Sequence, residues 1–580
     1  MWRLLLGCVL VVALSAGATV VLIKGEIHTI AKDLRFHKAI KLSPGVLAPA
    51  GFGDTQTILL VGNDQRKHTT TQPVLPHSNE MLLVRIDPNK PYISMMSIPR
   101  ELMVTIQCPT GPVTTRLNYA LTCGGFPTLI STIYKLTGIR PNHVVEIDFG
   151  NFQTAVNEIG CVYSTIDRRY YNVNIGTTAT DYSNINLQPG YQKLCGSQAL
   201  QFVSYRHGDT SLVRDARDQD FLLDVKKEYG PSLLDNIHKF ERIFGQTVIV
   251  DKGLQSESGV ENLLGTLISS ATLRVRQVQF NVTLQPTGSN SCSCDTATPQ
   301  QIAQSVGSFL GGTDNVPTHS TAAAAHAVHN RNVQAKLPLV SSLAAGLQQA
   351  QASARGLPFP LEYPRVQDAN GSGTPVYLRD YLIHAGQTAY PAYVAVFSNG
   401  LLGQYYGVQG MTWLGAPMFT NPDQIVTVAG RTYFLFYSGQ HLMVVAWYEH
   451  GAVYWVHNSL TDSVENGELL AIAEQTRPIG VVGTPGSPVN GTRGRRHGRL
   501  GAVVVPRRIA PGPKVSTVET IGAIGGVATL LAAPLLCFGL FRRRRRLTAL
   551  RAELDALLTL EYQLQSSVPR AAAGSRRPAR

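Results

Sequence analysis

The residues with most to offer chemically are arginines and carboxylates placed beside apolar runs. Asp64 and Arg66 follow residues 57–61, His77 to Glu80 precede 81–86, and Arg100 with Glu101 follow 92–98. Further on come Arg206, His207 and Asp209, then Arg214 and Arg217. A guanidinium is a planar fork of donors that matches phosphate oxygens, so several arginines converging with one or two carboxylates describe a metal-assisted pyrophosphate site. A plainer reading stands beside it. Arg214 and Asp218 are four apart on a helix and suit a surface ion pair, and Arg206 with Asp209 suits a turn.

Such groups need a scaffold that carries them to one edge. Residues 55–285 alternate short apolar runs with helical stretches, the signature of an α/β unit, in which the loops past strand ends converge. Strands are predicted at 57–61, 81–86, 92–98 and 144–147. Helices are predicted at 126–137, 151–159 closed by Gly160, 197–204 and 212–229. Residues 286–336 turn to Ser, Thr, Ala, Gly and Asn and read as a linker with one helix candidate at 299–310. Residues 337–480 read as a smaller α+β domain with an antiparallel sheet and no nucleophile or metal constellation. Its Tyr405, Tyr406, Trp413, Tyr433 and Trp447 are read as core ahead of a sugar-stacking surface.

A chain of 580 residues exceeds one ordinary core. Its net charge of +13 is concentrated in 493–508 and 542–580, which argues against a nucleic-acid partner. Residues 1–25 read as a signal anchor or transmembrane helix in preference to a cleavable signal peptide, with 26–54 as a juxtamembrane segment. Residues 521–541 read as a second transmembrane helix. Five arginines, Arg542 to Arg546, follow it and place the C-terminus in the cytoplasm by the positive-inside rule. Both termini are then cytoplasmic, and everything between the two helices lies outside. Residues 481–520 form a basic linker suited to anionic membrane lipids, and the tail 542–580 carries leucines at heptad-like spacing for a partner helix or an interface. Six of the eight cysteines fall in the exterior segment. Cys108 and Cys123 bracket a short polar loop, and Cys161 and Cys195 bound an insertion-like stretch. These pairings are favoured over zinc because no CxxC spacing occurs.

The segments Ile58-Leu59-Leu60-Val61-Gly62-Asn63-Asp64-Gln65-Arg66, Ser97-Ile98-Pro99-Arg100-Glu101, Arg116-Leu117-Asn118-Tyr119-Ala120 with Gly124-Gly125, Ala199-Leu200 through Tyr205-Arg206-His207, and Arg214-Asp215-Ala216-Arg217-Asp218-Gln219 before Phe221-Leu222 all resemble the LytR-CpsA-Psr family. They occur in family order. The resemblance implies an α/β/α sandwich in a bacterial cell-membrane protein that holds a polyprenyl-pyrophosphate-linked glycan and transfers the glycan phosphate to peptidoglycan with Mg²⁺. It assigns Asp64 to the metal, with Arg100, Arg206, Arg214, Arg217, Gln219 and, as a weaker member, Arg66 on the pyrophosphate. Asp64, Arg100 and Arg206 are the catalytic candidates.

The chain also departs from the pattern. His77-Ser78-Asn79-Glu80 stands where the family has Arg-x-Asp-Thr, and Ser204 where it has the first arginine of an Arg-x-Arg pair. Two cationic contacts and one metal carboxylate are thereby replaced. Asn79 keeps an amide oxygen for a cation, whereas Glu80 is expected to face the other side of its strand. A weakened phosphotransferase is the leading expectation. The alternatives are a silent polyprenyl-phosphate-binding scaffold or regulator, and a pyrophosphate hydrolase with His207 as base.

Overall fold

Period-two apolar patterning on both faces is what a sheet buried between two helical layers requires, and it builds the first module of this computed structural model. The structure describes residues 28–480 apart from 36–38, 52, 65–75, 177–182, 207, 233–235, 271–272, 285–293, 312–336, 342–343, 345 and 372. Six strands make the sheet: β1 (Gln56–Asn63), β2 (Ser78–Ile86), β3 (Tyr92–Ser97), β4 (His143–Asp148), β5 (Ile249–Val250) and β6 (Arg274–Val278), in the order β5-β4-β1-β2-β3-β6. Leu59, Val61, Met81, Leu83 and Met96 face one side. There they pack on Leu129, Ile130 and Ile133 of helix α1 (Tyr119–Thr137). Their neighbours Leu60, Leu82, Val84 and Met95 face the other side and pack near Leu222 and Leu223. Helix α1 starts earlier than its apolar periodicity suggests and is broken at Gly124-Gly125, where Gly125 has φ +67°.

Helices α2 (Phe149–Ile159), α3 (Gly196–Val203) and α4 (Ser211–Tyr229) follow closely the ranges expected. Gly160 ends α2 at φ +116°. The disulfides Cys108–Cys123 and Cys161–Cys195 are both closed.

Two boundaries move. The segment assigned to a juxtamembrane stretch is part of the fold: Ala31 and Leu34 pack with Val248, Val250 and Val260, and Ile40 bridges to Asp251. The linker assignment fails for 294–310. Asp295-Thr296 pairs with Thr283-Leu284, and helix α5 (Pro299–Leu310) buries Phe309 in the first core. Its Thr298–Gln301 capping box gives it a fixed start. The apolar stripe of a short helix was outweighed by the polar composition around it.

The second module is built on a seven-stranded antiparallel sheet. Its strands are β7 (Tyr377–Ala385), β8 (Thr388–Ser398), β9 (Tyr405–Met411), β10 (Gln424–Val428), β11 (Arg431–Ser438), β12 (His441–Glu449) and β13 (Ala452–His457), in the order β7-β8-β9-β13-β12-β11-β10. Helices α6 (Leu347–Ala354) and α7 (Asn466–Glu474) cover one face, where Tyr406, Tyr433 and Trp447 are core. The other face closes on the first module. Trp455, Met411 and Ile383 cluster with Tyr163 and Tyr191, and Trp413 stacks on Tyr390 and meets Tyr163 edge-on. Residues 26–487 accordingly form one compact unit.

Both predicted transmembrane helices, 1–25 and 521–541, lie outside the described residues, as do the basic linker and the tail. Among the described residues no helix is long and apolar enough to cross a membrane.

Candidate functional site

Strand β2 runs antiparallel to both β1 and β3, with Asn63 opposite Ser78 and Leu82 opposite Ser97. The start of β2 therefore meets the ends of β1 and β3, and Asp64, Asn79 and Arg100 arrive at one sheet edge. Helix α4 brings the rest. Its N-cap Thr210 accepts a hydrogen bond from the Val213 amide at 3.3 Å, which sets Arg214 in the first turn.

Glu101 is the hub. Arg214 donates to both its oxygens, at 3.2 and 2.8 Å, and Arg100 Nε donates to Oε1 at 2.7 Å. Burial pushes the Glu101 carboxyl up, but Arg214 and then Arg100 outweigh it and hold the pKa at about 2. Arg100 Nη1 donates to Asn79 Oδ1, and Arg206 Nη2 donates to the same oxygen at 3.3 Å. Three guanidinia thus crowd one edge. Desolvation and then the charge of Arg214 pull Arg100 below its ordinary range; Arg206 keeps one side in solvent, and partial desolvation, then Arg100 and Arg214, bring it to about 10. Arg214 moves the other way, because Glu101 and Asp215 overcome its burial. Cations that depress one another's pKa are what an arriving polyanion relieves.

Behind this edge lies an acidic layer. Ser97 Oγ donates to Glu80 at 2.7 Å and accepts from Gln219 Nε2 at 3.1 Å. Burial, followed by Asp218, raises Glu80 well above the carboxylate range. Asp215 is raised likewise by burial and Glu80. Asp218 sits at about 7, since burial exceeds the pull of Arg217 and Arg214.

The structure separates the predicted residues. Arg100, Arg206 and Arg214 come together with Asp64 nearby, whose Oδ1 accepts from the His77 amide at 2.9 Å. Gln219 reaches the site through Ser97. Arg217 does not line it: the side chain is fully buried and donates to the Tyr170 hydroxyl, the Phe202 and Tyr205 carbonyls and Asp209. Its guanidinium is spent on protein acceptors, so it positions Phe202, Tyr205 and Asp209, and with them Arg206. Arg66 and His207 lie outside the described residues. Glu101 was visible in the sequence without a role, and its adjacency to Arg100 was the available signal. Arg168, which pairs with Asp209, carried none.

For a cation, Asp64 is the available carboxylate, because the Asn79 oxygen serves two guanidinia and Glu80 is turned onto Ser97. One carboxylate with phosphate oxygens still suits Mg²⁺. Among the described residues, the His/Cys/Asp/Glu group close enough to share an ion is Glu362, Glu449 and His450 in the second module. Arg431 lies 2.7 Å from Glu449 and 3.8 Å from Glu362, which makes that group an ion-pair network.

Residues 25–305 match the model of the LytR_cpsA_psr family. The match covers just under half of the 580-residue chain, and over that stretch the chain is similar to the LytR-CpsA-Psr family. Among curated relatives, a polyisoprenyl-teichoic acid–peptidoglycan teichoic acid transferase, TagT of Bacillus subtilis, is 28% identical over 171 residues, covering 29% of this chain and 51% of that protein. Biofilm regulatory protein A of Streptococcus mutans is 25% identical over 235 residues, 38% of this chain and 56% of the relative. The chain thus spans about half the length of these two relatives. A solved LytR-Csp2A-Psr enzyme from Actinomyces oris superposes on 47% of this chain and 96% of its own at 16% identity, with a TM-score of 0.37. The LytR-CpsA-Psr match ends inside α5, past the boundary at 285 that composition had suggested.

Proposed function

We propose that the chain is a membrane-anchored envelope phosphotransferase that takes a glycan phosphate from a polyprenyl pyrophosphate carrier and places it on peptidoglycan. One observation carries this reading: Arg100, Arg206 and Arg214 converge on Asn79 and Glu101 at a single sheet edge. The pyrophosphate charge would relieve their mutual repulsion. Arg214, locked two-pronged onto Glu101, supplies fixed positive charge, while the exposed Arg206 closes over the ligand. In the transfer, the acceptor hydroxyl oxygen bonds to the glycan-bearing phosphorus as the bridging P–O bond breaks, its proton passes to solvent, and polyprenyl phosphate leaves. The arginines stabilise charge that grows on the equatorial and leaving oxygens. Mg²⁺, held by Asp64 and phosphate oxygens, would add charge neutralisation there. The two terminal apolar segments would anchor the chain with this site outside the cell.

A second reading has its own support. A single carboxylate and an Asn79 oxygen already committed to arginines suit a scaffold that binds the carrier without turnover. Calorimetry with geranyl pyrophosphate, with and without Mg²⁺, followed by a transfer assay on peptidoglycan fragments, separates the two. Transfer that fails in Arg206→Ala supports the enzyme; tight binding without transfer supports the scaffold; no binding by folded protein sinks both.

A further inference from the structure

The seam between the two modules holds two cavities, of about 240 and 100 Å³, that share Gln277, Gln279 and His441 in their walls. The smaller reaches the acidic layer behind the arginine edge, since Ser97, Asp215 and Gln219 line it. The larger runs outward between β6 and the β11–β12 turn, where Ser438 and Gln440 of the second module join Asn281 of the first. Its walls are tied together: Ser438 Oγ accepts from the Gln277 amide at 2.9 Å, and Gln277 Nε2 donates to Asp220 at 2.6 Å. At the inner end, Asp215 Oδ2 has no hydrogen-bond partner although the side chain is 8% exposed. A buried oxygen in that state is costly unless something completes it.

The lining decides the class of ligand. Amides, hydroxyls and an imidazole, with the Asp215 and Asp462 carboxyls at the inner end and Arg276 turned onto Tyr92, offer donors and acceptors in both senses; the carboxyls disfavour a phosphate and an acyl chain cannot use the polar groups. A volume below the roughly 300–1,000 Å³ of drug-sized sites suits one ring at a time. We propose that this seam is a saccharide subsite for a hydroxyl- and acetamido-bearing sugar, built jointly by the first module and the β11–β12 turn of the second, and ending at the Ser97, Asp215 and Gln219 layer behind the arginine cluster. The proposal rests on the function argued above, because it gives the sugar next to the transferred phosphate its place. It also gives the second module a task, completing one wall. The same chemistry fits the carrier's glycan or the acceptor strand.

The test uses the full chain in detergent micelles and three probes: geranyl pyrophosphate, geranyl pyrophosphate bearing one N-acetylglucosamine, and chitobiose. Gln279 and His441 are exposed at the rim, so Gln279→Trp with His441→Trp blocks the seam, and Gln440→Trp blocks it independently. Both variants are expected to bind geranyl pyrophosphate as the parent does. If the acceptor uses the seam, chitobiose binding weakens at least tenfold; if the donor uses it, the sugar-linked probe loses its advantage over the bare pyrophosphate. Sugar probes that fail to bind the parent, or that bind blocked and parent chains alike, overturn the subsite. Loss of bare geranyl pyrophosphate binding in both folded variants overturns it too, because the seam would then belong to the pyrophosphate site. Chitobiose binding that is blocked as expected, in a parent blind to geranyl pyrophosphate, leaves the subsite standing and removes the transferase reading.

Discussion

Glu101→Gln is the most searching single change, because it keeps the shape of the hub and removes its charge. The Glu101 carboxyl titrates at about 2 in the fold against an ordinary 4.5. Its folded pKa is depressed, so its contribution is fully present above pH 4.5 and is lost as pH falls toward 2. Two and a half units correspond to about 3 kcal/mol at pH 7, falling to about 1.5 kcal/mol at pH 3, where the unfolded chain is already protonated. The side chain is 14% exposed, so solvent screening removes little of this. Urea unfolding of parent and variant at both pH values measures the difference. A loss below about 1 kcal/mol at pH 7, or an equal loss at pH 3, would falsify the ionised hub. The same variant leaves Arg100 and Arg214 without their shared anion, so geranyl pyrophosphate should then bind with greater salt sensitivity.

Arg217→Met and Arg206→Ala should part company. The first breaks a fully buried pair with Asp209 and should cost about 3–5 kcal/mol of stability; the second should change stability by under about 1 kcal/mol while weakening geranyl pyrophosphate at least tenfold. Equal stability effects in unfolding curves would contradict the separation drawn between them. Asp218→Asn should stabilise at alkaline pH. Its folded pKa of about 7 is raised from 3.8, so the native state favours the protonated form, and the cost of keeping it buried grows as pH rises from 3.8 to 7 and levels off above. The advantage should approach about 4 kcal/mol at pH 8 and fall below about 2 at pH 5. A pH-independent difference in thermal unfolding speaks against a buried titrating carboxyl. Cys161→Ser with Cys195→Ser opens a loop of 34 residues, a loss of about 4 kcal/mol by chain entropy. No change in urea midpoint on oxidation of the parent would show that the bridge contributes nothing.

Local patterning carried most of the first module, since strands β1 to β4 and helices α2 to α4 announce themselves by period and by turn residues such as Gly160. What escaped depends on partners distant in sequence. Nothing in a Ser- and Ala-rich neighbourhood says that Phe309 enters the first core, and nothing near Ala31 points to Val248. The docking of Trp455 and Met411 onto Tyr163 and Tyr191 is equally hidden, because both sets are plain strand residues until the faces meet. At the site, residue type located the arginines but could not rank them. Arg206 and Arg217 look alike in the sequence, yet one is exposed and the other is consumed by two carbonyls, a hydroxyl and Asp209.

The departures from the family pattern read differently once their neighbours are known. Taken singly, Asn79 costs the cation a carboxylate, while His77 and Ser204 cost the anion two guanidinia. But the Asn79 oxygen is where Arg100 and Arg206 meet. An aspartate there would pair with both and claim part of the charge that a pyrophosphate uses; a neutral amide orients them without neutralising them. Losing one anion together with two cations changes the site's charge by a single unit, and Arg100 and Arg206 meet at a neutral amide instead of a carboxylate. Binding should accordingly survive these replacements better than any step that depends on a second metal carboxylate. Restoring that group with Asn79→Asp should strengthen Mg²⁺ dependence and weaken metal-free geranyl pyrophosphate binding, and calorimetry showing both unchanged would mean that position 79 does not couple the two arginines to the ligand.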